Sequence, residues 1–230
     1  MNTELATMTP RPKRKPRKTA YTFDELPNDV QLSVLDKYRG WNIDDQNFWA
    51  ESIERDFIEK LSNQGFTVEK KKWHSDAKEE KPCIYWDVSC CQGSGASFEA
   101  EVDLEKYIKA NLQDLIKARY NIFTLREIIN NDPSISDWEV EPVHIEQGSN
   151  HYVHEMTMRI ILDWRGDGFP EGVEKTLDRL RDGILEDARS LAKEFHRQLN
   201  NERDYQSSDE CLRESFKAND TKFNLEGKMV

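Results

Sequence analysis

Side chains that could do chemistry sit together in one short stretch, Cys83 to Val102, CIYWDVSCCQGSGASFEAEV. A period of two puts Ile84, Trp86, Val88 and Cys90 on one face and Tyr85, Asp87 and Ser89 on the other. After the turn Gln92-Gly93-Ser94-Gly95, Ala96, Phe98, Ala100 and Val102 alternate with Ser97, Glu99 and Glu101. A pair of carboxylates on neighbouring strands could hold a divalent cation or share a proton. Outward carboxylates are also what any acidic protein displays on a solvated sheet face. Tyr85, Asp87, Gln92, Glu99 and Glu101 are therefore assigned as a partner-binding face, with no catalytic residue, no metal ligand and no cofactor. A metal-assisted hydrolase using Asp87, Glu99 and Glu101 is the remaining enzymatic alternative.

The other reactive residue types do not complete a site. His151 and His154 are three apart, hence on opposite faces of a strand, and His154 shares its side with apolar residues, as a hydrogen-bonded core histidine does. His144 could lie opposite one of them across a turn, but no H-E-x-x-H, P-loop or G-x-S-x-G pattern accompanies it. Gly93-Ser94-Gly95 as a phosphate cradle lacks both a strand-to-helix context and a flanking lysine. Cys83, Cys90, Cys91 and Cys211 form no C-x-x-C pair and no disulfide spacing, which points to a reduced, cytoplasmic setting. Cys90 and Cys91 fall on opposite sides of a strand, one a core thiol and one an outer thiol. There is no secretory signal and no apolar run approaching the roughly 18 residues of a membrane span.

Charge is unevenly placed. Arg11, Lys13, Arg14, Lys15, Arg17 and Lys18 are six cations in eight residues; without them the net charge of −11 becomes −17. Residues 1–20, with prolines at 10, 12 and 16 and no apolar period, read as a disordered basic arm. That arm is a nucleic-acid contact candidate. The body repels nucleic acid and attracts basic surfaces through long-range steering that salt weakens. Six Trp, ten Phe and seven Tyr argue that 21–230 folds, and it is read as a single domain.

The elements that must position these residues follow from periodicity. Helical spacing appears over 28–38, over 44–64 ending at Gly65, over 104–119, with Phe123 to Ile129 as an extension or second piece, and over 208–217. Val173, Leu177, Leu180, Ile184, Ala188, Leu191, Phe195 and Leu199 step by three and four, predicting one long helix over 171–202. Such a stripe serves sheet packing, with a coiled-coil dimer as the alternative. Strands are expected at 66–73 with an exposed lysine edge, at 84–90, 96–102, from Trp138, and as one long strand over 151–162. The fold class is α+β: an antiparallel sheet of about four to six strands with helices packed mainly on one face, including the long C-terminal helix.

Three pieces carry a resemblance: Tyr21-Thr22-Phe23-Asp24-Glu25-Leu26, the run Ile84-Tyr85-Trp86 leading to Gln92-Gly93-Ser94-Gly95-Ala96-Ser97-Phe98-Glu99, and Ala218-Asn219-Asp220 to Gly227-Lys228. Together they resemble a phage-encoded family of small acidic proteins with a QGxGASF motif, sometimes labelled antitoxin-like. Its members more often have an acidic residue where this chain has Ser94. The resemblance implies a phage product acting in the cytoplasm of an infected bacterial cell and brings no catalytic residues. With the acidic body, it leads to a non-enzymatic protein, monomer or dimer, that binds and inhibits or redirects a host protein with a basic surface. An antitoxin-like regulator holding nucleic acid through the arm is the alternative.

Overall fold

The computed structural model describes residues 19–44, 46–72, 79–89, 93–132, 136–149 and 152–230, with backbone alone at 46–48. Arg11, Lys13, Arg14, Lys15, Arg17, Lys18, Cys90, Cys91, Gln92 and His151 lie outside the described residues. In chain order the elements are α1 (Asn28–Lys37), α2 (Gln46–Asn63), β1 (Phe66–Val68), β2 (Lys70–Lys71), β3 (Lys81–Pro82), β4 (Ile84–Asp87), β5 (Gly95–Phe98) and β6 (Ala100–Val102). There follow α3 (Leu104–Ala110), α4 (Leu112–Lys117), α5 (Ile122–Ile129), β7 (Trp138–Val140), β8 (Val143–Gln147), β9 (Met158–Ile161), β10 (Trp164–Gly166), α6 (Val173–Gln206) and α7 (Asp209–Ala218). The fold is α+β, with the long C-terminal helix expected from the sequence.

Contacts group the described residues into two compact units, one within 46–204 and one of 19–44 with 205–230, each with its own buried cluster. In the smaller unit Phe23, Leu26, Val34, Leu35, Leu212, Phe216 and Phe223 are buried together. Phe216 meets Phe23 at 5.7 Å and Phe223 edge-on at 5.2 Å between ring centres. Tyr21 bridges Phe223, which also bridges Met229, so the first and last resemblance segments assemble side by side. Ser208 caps α7 by accepting from the Cys211 amide at 3.2 Å.

The larger unit is built on a four-stranded antiparallel sheet of order β1-β6-β8-β9. Its registers pair Thr67 with Glu101, Glu101 with His144 and His144 with Ile161, so these residues share the outer face. Phe66, Val102, Val143, Ile145 and Met158 point the other way into a core completed by α2, α3, α5 and α6. All eight members of the α6 stripe are buried, and the seven larger than Ala188 are each worth about 1.5–3 kcal/mol of transfer free energy. Phe195 stacks on Phe57 at 4.2 Å with ring planes 7° apart. Gly65, at φ +89°, ends α2, and a Cβ there would sit 2.7 Å from the Tyr107 amide nitrogen. That close approach lets the Gly65 carbonyl accept from Asp103, whose side chain caps α3.

Two expectations are corrected. The helix expected over 104–119 breaks at Asn111, whose side-chain amide donates back to the Tyr107 carbonyl at 3.0 Å, giving α3 and α4. The long strand expected over 151–162 is a strand only from Met158; Glu155–Thr157 is a 3-10 turn. The cause is crowding against the hairpin: a Cβ on Gly95 would lie 2.8 Å from the His154 Cα, so this segment lies over β5 instead of joining the ladder. His154 caps the turn, its Nδ1 accepting from the Met156 amide at 3.1 Å, and is half-buried, not a core histidine.

Candidate functional site

Three chain segments, β1–β2, β3–β4 and β5–β6, are each interrupted at one residue: Glu69, Cys83 and Glu99. Their backbones bond in a cycle. Glu69 N–H donates to the Glu99 carbonyl at 2.9 Å, Glu99 N–H to Cys83 at 2.9 Å and Cys83 N–H to Glu69 at 2.8 Å. From this junction three strand pairs diverge: β1 with β6, β2 with β3, and β4 with β5. All backbone groups at the crossing are satisfied, which a buried three-way switch of partners requires.

The pairing expected for the hairpin holds in β4 and β5, where Ile84 pairs with Phe98, Tyr85 with Ser97 and Trp86 with Ala96, but the expected alternation of burial does not: all of Gly95–Phe98 is buried, Ser97 included, and all of Ile84–Asp87 is half-buried, because β5 is covered on both faces. The pairing fails as a two-strand unit at Glu99, because β6 leaves the hairpin for the four-stranded sheet. A cluster forms on the outer side of the junction. The Tyr85 hydroxyl donates to Glu99 Oε1 at 3.1 Å, and Lys71 pairs with the other Glu99 oxygen. Lys71 also lies 3.4 Å from Glu69, whose second oxygen is 3.5 Å from His144 Nδ1. The hydrogen bond it donates to Glu99 raises the Lys71 ammonium above the ordinary lysine range. Burial, then the Glu99 charge, pushes the Tyr85 phenol up, and burial raises the thiol of Cys83 beneath it. These shifts keep Lys71 charged and Tyr85 and Cys83 protonated. The cluster is a hydrogen-bonded polar surface over a buried, protonated thiol.

The structure thus brings Tyr85 and Glu99 together and sets Glu101 one register step away, exposed, between Thr67 and His144. It does not bring Asp87 to them. Asp87 turns onto its own loop, Oδ1 accepting from the Ser89 amide at 2.7 Å and Oδ2 from the Ser89 hydroxyl at 2.6 Å. That loop is clamped to α6. Ser94 Oγ donates to the Asp87 carbonyl at 2.6 Å, His196 Nε2 lies 3.1 Å from the same oxygen, and Arg203 donates to the Val88 carbonyl. Ser94 therefore ties the start of β5 to the end of β4. Glu69, Lys71 and His144 were missed as site members; the signal was the odd-numbered alternation of 67, 69 and 71 facing that of 99 and 101, hidden by reading the lysines as an edge.

Elsewhere, the Tyr107 hydroxyl donates to Asp187, and burial raises the Asp187 carboxyl above the usual carboxylate range while this bond opposes the shift. Asp163, Asp167, Gly168, Glu171 and Glu174 fall at calcium-loop spacing, but Arg165 stands at the third position and pairs with Glu139. Among the described residues no three His, Cys, Asp or Glu side chains converge as a cation site, and no helix is long and apolar enough to cross a membrane.

A family model described as a domain of unknown function, DUF8835, matches residues 49–209, from within α2 to the first residue of α7. No curated protein and no solved structure matches the chain. The match takes in the junction, the clamped loop and all of α6, well over half of the sequence, so the chain belongs to the DUF8835 family.

Proposed function

We propose that the protein is a non-enzymatic interaction protein, of phage origin by its motif resemblance, that binds and inhibits or redirects a host protein with a basic surface. The observation that carries this reading is the outer face of the four-stranded sheet around the junction. Glu69, Glu99, Glu101 and Glu146 outnumber its cations Lys71, Lys81 and Arg159, and Glu101 is exposed and makes no ion pair among the described residues. Tyr85, fixed by Glu99, adds a rigid amphipathic contact of the kind that anchors interfaces. Acidic excess on such a face speeds encounter with a basic partner more than it deepens affinity. The test is partner capture from bacterial lysate at low and high salt, with the Glu69→Lys/Glu101→Lys variant alongside. A protein retained at low salt by the parent and lost with either salt or charge reversal fits; identical capture by both chains overturns the assignment of this face.

The arm supports a second reading. Its six cations, if each neutralised one phosphate, give a slope of log affinity against log salt of about −5 on duplex DNA. Deleting residues 1–20 then abolishes that binding; unchanged binding removes the arm from consideration.

A further inference from the structure

A groove of 410 Å³ lies between α3 and α5 in the larger unit. One wall is Glu105, Ile108, Lys109 and Leu112, running from α3 into the first residue of α4; the other is Ile122, Leu125, Arg126 and Ile129 of α5. Both sets are spaced i, i+3, i+4, i+7, the stripe with which one helix meets another. Ile108 and Leu125 are 1% exposed and form the floor, whereas Ile122 is 37% exposed, so apolar surface climbs from the floor to solvent. Two helical stripes lining one open apolar channel make the seat of a third helix.

The turn that leads into α5 is fixed to α6. The Tyr120 hydroxyl donates to the Arg179 carbonyl at 2.8 Å, and the Arg179 guanidinium donates to the Ala118 carbonyl at 2.8 Å and lies over the Tyr120 ring at 4.1 Å. A wall held in place before binding spares the cost of ordering it. Charge selects the occupant. Arg126 is exposed and makes no ion pair among the described residues, and Lys109 on the opposite wall pairs only with Glu105, an exposed contact that water and salt readily exchange. Residues 104–130 hold five cations, Lys106, Lys109, Lys117, Arg119 and Arg126, against Glu105, Asp114 and Glu127, a local +2 in a chain of −11. An acidic segment is repelled by the chain's overall charge and accepted here, so charge decides where it lands.

We infer that this groove docks an amphipathic helix of a partner protein, its apolar stripe on the floor and its flanking Asp or Glu residues on Lys109 and Arg126. The walls specify that occupant: their spacing suits a helix, their floor an apolar stripe, and their cations acidic flanks. Each wall is two turns long, roughly 10 Å at 1.5 Å per residue, so the contact falls at the small end of specific interfaces. Dissociation in the micromolar range or weaker is expected. The groove shares no residue with the acidic outer face of the sheet, and its test does not depend on that reading.

Fluorescence anisotropy with the full chain and a labelled synthetic peptide tests this. The probe is about 15 residues long, where an isolated helix begins to form, with leucines at i, i+3, i+4 and i+7 and glutamates among them. It should bind the parent saturably and be displaced by its unlabelled form, and about tenfold less well by a scrambled or a lysine-flanked peptide. Arg126→Glu and Ile122→Asp, both at exposed positions, should each weaken binding roughly five- to tenfold while keeping the parent's circular dichroism spectrum. No saturable binding up to about 1 mM, a titration of either variant that overlays the parent, or equal displacement by the scrambled or lysine-flanked peptide overturns the inference. Saturable uptake of dodecanoate in calorimetry without peptide binding also overturns it, assigning the groove to a small anionic amphiphile.

Discussion

Replacing Asp187 separates the two roles of a half-buried carboxylate in the packing of α6 on α3. The Tyr107 side chain is 1% exposed and donates its hydroxyl to Asp187. Asp187→Ala leaves that hydroxyl without its acceptor, at a cost of about 1–3 kcal/mol. For a chain of this size that lowers Tm by roughly 2–4 °C per kcal/mol. Asp187→Asn behaves differently, because the amide oxygen still accepts and there is no charge to desolvate. The parent carboxyl has its folded pKa raised, with burial the largest cause. The folded chain therefore holds the proton more tightly than the unfolded chain. Parent stability should fall as pH rises from the unfolded value of about 3.9 through the raised folded value. Asp187→Asn removes that component, so its advantage over the parent should grow across that window and then level off. Urea denaturation followed by circular dichroism between pH 4 and 7 reads both effects. Equal destabilisation by the two substitutions, or an unchanged pH dependence in Asp187→Asn, would refute the reasoning.

Three further outcomes are expected. Gly95→Ala should destabilise the larger unit by about 1–3 kcal/mol in denaturant titration, because its Cβ meets backbone at His154, 2.8 Å away, which cannot swing aside. Phe195→Ala, which deletes a 1% exposed ring stacked on Phe57, should cost about 3–5 kcal/mol in the same assay. Cys83, 1% exposed with its thiol raised by burial, should resist iodoacetamide at mildly alkaline pH until denaturant is added. Peptide mapping by mass spectrometry would show it; fast labelling of Cys83 in the native chain contradicts the junction geometry.

Much of the architecture was legible because local patterning and tertiary need agree. The eight apolar positions of α6 specify a helix whatever it packs on, and two extended limbs about a glycine-bearing turn specify the β4/β5 pairing. What was not legible depends on distant partners. Alternation runs unbroken through Glu99 into Ala100 and Val102, so nothing local announces that β6 changes partner there; β1 and β8 decide it. The apolar alternation from Tyr152 onward resembles a strand, yet the approach of Gly95 to His154 leaves no ladder for its first half. The candidate site divided in the same way. Tyr85 and Glu99 follow from facing alternation, whereas Asp87 is claimed by Ser89 two residues on, a local bond that competes with any outward role. Lys71 and His144 reach the cluster only through the junction and the β6/β8 register.

The acidic outer face as a binding surface is tested most directly by quantitative capture with the parent and the Glu69→Lys/Glu101→Lys chain at matched folding, in low and high salt. The account expects one basic host protein to be retained by the parent at low salt and to be lost on charge reversal and on raising the salt. Retention of the same protein by the reversed chain, or no partner retained by the parent at low salt, would contradict it.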